Sequence, residues 1–152
     1  MHVSNFLTTV ALALIGIQGA NAWKIETWGT QDTCHLTTGA APDSPAVTGH
    51  KGESKECAEV YPLTQAMLIT NWDNDCKVTL YAGVGVCFGG MGTPVFSMTK
   101  KQASDQGLLS NDESYGSYMC KTGIEGQGPF YVTYSCKNKK GRGEGFEVDF
   151  TA

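Results

Sequence analysis

The stretch Asp75–Gly90, DCKVTLYAGVGVCFGG, decides how the fold is read. From Lys77 to Ala82 the side chains alternate, with Val78, Leu80 and Ala82 facing one way and Lys77, Thr79 and Tyr81 the other. Period-two alternation marks a half-buried strand. Beyond a glycine-bearing turn, Val86 to Phe88 reads as the second arm of a hairpin. The two cysteines, Cys76 and Cys87, could serve as a structural staple, a metal site or a reactive pair, and the rest of the chain separates these uses.

The chain holds six cysteines, Cys34, Cys57, Cys76, Cys87, Cys120 and Cys136. The closest two stand eleven positions apart, whereas zinc ligands usually lie two to four apart, and His35 is the one histidine beside a cysteine. No C-x-x-C pair supports thiol chemistry. An even count in an oxidising compartment predicts three disulfides, with no metal and no cofactor. Six cysteines allow fifteen connectivities. Pairing of Cys76 with Cys87 is geometrically allowed but not forced, and on this reading the quoted stretch is a stapled hairpin.

The oxidising compartment is itself inferred from the first 22 residues. An apolar run from Phe6 to Ile15 is followed by Ala20-Asn21-Ala22, small residues at the two positions a signal peptidase reads, and then Trp23. Residues 1–22 are therefore expected to be a signal peptide, and residues 23–152 a single secreted domain. The apolar run is shorter than the roughly 20 residues that cross a bilayer, and no later segment is apolar enough to do so. Removing residues 1–22 leaves 130 residues with the full net charge of −4. That length supports a real core. A mildly acidic chain lacks the field that draws nucleic acid or anionic lipid.

Elsewhere period two dominates and long 3.6-residue periodicity is missing, which predicts an all-β domain. Trp23, Ile25 and Thr27 alternate with Lys24, Glu26 and Trp28. Thr38 to Ser54, rich in Gly, Pro and Ser, reads as a surface loop. Ala66 to Trp72 is apolar enough for a central strand, and Asp73-Asn74-Asp75 for the turn into the next. Pro94 to Met98 is a further strand, and Thr99 to Leu109 has room for a helical turn or two before Gly107. Near the end PFYVTYSC sets Phe130, Val132, Tyr134 and Cys136 on one face. GFEVDF repeats the device with Phe146, Val148 and Phe150. Seven or eight strands and nineteen glycines predict a β-sandwich or a small Greek-key barrel.

The signal peptide, the Trp23 start, the spaced cysteines and the run C-x-V-x-L-Y, turn, C-x-G together resemble small secreted cysteine-rich proteins of filamentous fungi, many of them candidate effectors. The shared run spans about sixteen of the 152 residues, and the class has no common active site to carry over. The resemblance implies a secreted, host-facing role.

Residues suited to chemistry are few. An acid–base pair for a small secreted ribonuclease would come from His35 or His50 with Glu53, Glu56 or Glu59, and Arg142 would serve as the phosphate cation. Gly143 to Phe146 resembles a short stretch of guanyl-specific fungal ribonucleases, but their catalytic histidine lies well downstream and six residues follow here. Asp73 and Asp75, or Asp112 and Glu113, lack the separation glycoside hydrolysis needs. Lys77 stands where a calcium loop would need oxygen. Trp28, Tyr115, Tyr118 and Tyr131 are candidates for a sugar-stacking platform, with Tyr131 the ring expected to point outward. The basic run Lys137, Lys139, Lys140 and Arg142 is a candidate surface for an acidic partner, an import signal or a solvated loop.

These observations lead to the expectation of a non-catalytic, monomeric effector that binds a host protein. A carbohydrate-binding protein of the cell wall is the alternative, and a small hydrolase or ribonuclease stands third.

Overall fold

In the computed structural model, residues 22–29, 34, 40–83, 92–113 and 115–137 are described. They form nine strands and one short helix: β1 (Trp23–Trp28), β2 (Val47–Gly49), β3 (Lys55–Val60), β4 (Ala66–Thr70), β5 (Cys76–Ala82), β6 (Thr93–Thr99), α1 (Lys100–Asp105), β7 (Ser110–Asp112), β8 (Gly116–Lys121) and β9 (Phe130–Cys136). Two antiparallel sheets result, one ordered β2-β1-β4-β8-β7 and the other β3-β9-β5-β6. No helix among the described residues is long and apolar enough to cross a membrane.

The sheets form through alternation. Trp23 and Ile25 of β1, Met67 and Ile69 of β4 and Met119 of β8 point into one core with Val60, Val78, Leu80, Phe96, Phe130, Val132 and Tyr134 of the other sheet. Each sheet presents one apolar face, and burying the two against each other gives a two-layer, sandwich-like arrangement. In β5 the expected split holds, for Val78 and Leu80 join the core while Thr79 turns outward and meets Ser97 at 3.0 Å.

Strand β4 is buried at all five positions, because its outward side chains are covered as well. Trp28, Cys34, Ala66 and Leu68 make a second, smaller apolar cluster on the outer side of the five-stranded sheet, with Tyr118 packed against it. The Cys34–Cys120 disulfide pins its cover. Further along that cover, Trp28 Nε1 donates to Ala41 O (3.1 Å), and Gly29 N–H to Asp43 Oδ2 (2.7 Å).

Cys76 bridges Cys136, not Cys87. The two residues face each other in the β5–β9 ladder, so the staple joins strands distant in sequence and the stapled-hairpin reading of the quoted stretch is corrected. Alternation could not show it, since it leaves the partner strand unspecified. Cys57 is also disulfide-bonded, while Cys87 and the expected arm Val86 to Phe88 lie outside the described residues. The hairpin partner of β5 is β6, in a register from Lys77↔Thr99 to Ala82↔Thr93.

The Gly/Pro/Ser-rich loop contains a short strand, β2, which pairs with β1 from Trp23↔Gly49 to Ile25↔Val47. Helix α1 is capped by Thr99: Gln102 N–H donates to its Oγ1 (3.2 Å), and Thr99 N–H to Gln102 Oε1 (2.8 Å). Gly107, with φ of 68°, follows the helix in a conformation that glycine adopts without strain.

Candidate functional site

One rim of the two layers gathers the β2–β3 turn, the β4–β5 turn and the ends of β1 and β9. Trp23 lies fully buried against Tyr134, with ring centroids 4.1 Å apart and planes 18° apart, and its Nε1 donates to Glu53 O (3.0 Å). Asp73 N–H donates to the Tyr134 hydroxyl (2.9 Å), while Gly52 N–H donates to Asp73 Oδ2 (2.8 Å). Burial first, with the Asp73 carboxylate adding, pushes the Tyr134 phenol well above its usual range. Cys136 N–H donates to Ser54 Oγ (2.9 Å). The rim is a closed set of mutual contacts.

That rim contains several sequence candidates. His50 is exposed in the β2–β3 turn, where its N–H donates to Glu53 Oε2 (2.7 Å). Glu53 thereby closes a turn. Asp73 ties the two turns together. Glu56 and Glu59 are exposed on β3. Asp73, Cys76 and Cys136 bring three potential metal donors within 4.8 Å of one another, but both sulfurs are joined in the disulfide. His35 and Arg142 lie outside the described residues, as do Lys139 and Lys140. Lys137 is exposed just past β9, where its N–H donates to Asp75 O (3.0 Å).

The outer face of the four-stranded sheet is lined with hydroxyls. Tyr131 stands between Glu59 and Tyr81 by strand register, Thr133 beside Thr79, and Ser135 beside Lys77. Tyr131 thus faces away from the shared core, yet it is 9% exposed. Little of its ring is open for stacking.

The outer face of the five-stranded sheet is different. One register line, Thr48↔Lys24↔Thr70↔Tyr118↔Ser110, crosses all five strands. Residues directly opposite one another in paired strands share a face, so these five side chains stand side by side. Lys24 Nζ pairs with Glu26 Oε1 at 2.9 Å, and Tyr115 meets Tyr118 edge-on with centroids 6.3 Å apart. Trp28, grouped with these tyrosines at the sequence level, is 4% exposed and belongs to the covered cluster. Lys24, Thr48 and Ser110 were missed, since a line across strands depends on register, which composition does not carry.

Fold and faces together define a disulfide-stapled, two-sheet β protein with one outer face lined by hydroxyls and the other part apolar, part polar. Comparison with protein-family models, curated proteins and solved structures finds no match, and the functional reading rests on the residues themselves.

Proposed function

We propose that this is a secreted, effector-type binding protein that acts on a host protein without catalysis. The observation that carries the reading is how the described chemical candidates are used. Glu53 accepts a backbone N–H within its own turn and Asp73 one from the neighbouring turn, and His50 stands exposed on its turn. A general acid–base pair needs both groups within reach of one substrate atom. Exposed Lys137, by contrast, opens the basic run that continues through Lys139, Lys140 and Arg142, a composition suited to an acidic partner surface.

Secretion is part of the same proposal. Strand β1 starts at Trp23, directly after the small residues of the peptidase pattern. Oxidised Cys57 belongs to a third staple of the kind secreted domains use.

The test is capture of a host protein by the oxidised secreted protein, followed by reconstitution with that partner purified. A defined complex, weakened about tenfold or more by Lys139→Glu with Lys140→Glu and by raised salt, is the expected result. Failure to form any defined complex would overturn the host-protein reading; equal affinity of the charge-reversed variant would remove the basic run from it.

A further inference from the structure

The outer face of the five-stranded sheet carries chemistry that host-protein binding does not use. We propose that the strip Thr48, Lys24, Thr70, Tyr118 and Ser110, with Tyr115 and Glu26 beside it, is a binding surface for a neutral, extended polysaccharide.

Shape comes first. The strip crosses five strands about 4.8 Å apart, so the path from Lys24 over Thr70 to Tyr118 covers roughly 10 Å, comparable with two linked pyranose rings. Thr70, in the middle, is buried among its neighbours at 3% exposure. Its short side chain leaves the centre of the strip low. Tyr118 is half-buried, and its position is fixed from two sides, by the apolar cluster beneath and by the edge of Tyr115. A ring held this way can stack on the C–H face of a sugar with little further loss of rotamer freedom.

Charge selects the ligand. Lys24 and Glu26 neutralise each other at 2.9 Å, with side chains 38% and 14% exposed. Their pair supplies donors and an acceptor but no net field. Exposed Thr48 and Ser110 add hydroxyls at the two ends. Vicinal sugar hydroxyls both donate and accept, which matches this mixture, whereas an anionic ligand would meet Glu26 and gain nothing from an already paired Lys24. A protein interface would need an apolar centre to desolvate, and the apolar half of this face is already occupied. Trp28, Ala66 and Leu68 are buried with Cys34 in the smaller apolar cluster. What stays open is the aromatic and polar half of the face.

The experiment is co-sedimentation of the oxidised secreted protein with insoluble chitin, β-1,3-glucan and cellulose, each at low and raised salt. Expected is retention by at least one of them, unchanged by salt and competed by its soluble oligosaccharide. Tyr115→Ala and Lys24→Ala should each weaken binding about tenfold while the circular dichroism spectrum stays native. The three polymers distinguish the sources of the shared chemistry. Protein left in solution with all three, retention abolished by salt, or Tyr115→Ala and Lys24→Ala variants that bind as well as the parent would overturn the proposal.

Discussion

Tyr134 combines a buried ring with a hydroxyl that accepts the Asp73 N–H of the β4–β5 turn. Its phenol is pushed above the ordinary value near 10 by burial and then by Asp73. The folded state therefore holds a proton that the unfolded chain releases above about pH 10. Stability from this group is complete below that pH and is lost as pH rises further. Unfolding midpoints measured from pH 8 to 11 should fall at the alkaline end, and Tyr134→Phe should flatten that fall. At neutral pH the same variant should lose about 1–3 kcal/mol, because Asp73 N–H is left without its acceptor. Gly49 shows a different single-atom constraint. A Cβ there would stand 2.6 Å from Cε2 of Trp23, whose indole is held by Tyr134 and Glu53 O. Gly49→Ala should cost about 1–3 kcal/mol by overpacking, read as a lower denaturant midpoint with an unchanged slope.

Among the elements, α1 is the most local in its causes. Thr99 and Gln102 exchange hydrogen bonds in a capping box, and Thr99→Ala should lower stability by about 1 kcal/mol, measurable by thermal melting. Strands depend on context instead. Those with clean alternation or a long apolar run were legible in the sequence: β1, β4, β5, β6 and β9 all lie where period two and apolar density place them. Strand β3 was not, since KECAEV is mostly exposed with a register shift between Lys55 and Ala58. Strands β2, β7 and β8 are short or Gly/Ser-bearing and owe their form to neighbours. The candidate face was legible only in part, for the same reason. Tyr115 and Tyr118 stand out as aromatics, but their alignment with Lys24 and Thr48 is fixed by pairing across β1, β2, β4 and β8. The GFEVDF segment and the basic residues after Lys137 lie outside the described residues.

At the scale of the whole molecule, the two sulfur bridges with both partners among the described residues have unequal tasks. Cys76–Cys136 reinforces a ladder already built from seven paired positions. Cys34–Cys120 spans a separation of 86 residues and holds the cover of the smaller apolar cluster. The chain-entropy model gives a loop of that size about 4–5 kcal/mol. Replacing both cysteines by serine should therefore cost several kcal/mol and raise quenching of tryptophan fluorescence by acrylamide, because Trp28 would gain solvent. A doubly substituted protein with parental melting and quenching would show that the hydrogen bonds donated by Trp28 Nε1 to Ala41 and by Gly29 N–H to Asp43 suffice to hold the cover.

Trp23 and Tyr134 also set where the described chain enters and leaves. Their stacked rings put the start of β1 and the end of β9 at one rim. The opposite rim carries the β3–β4 turn, with Leu63 65% exposed, and the loop between β8 and β9. A tether attached at Trp23 would leave that far rim and both outer faces unobstructed. An affinity surface or display anchor at that end would thus present the two outer faces in one orientation.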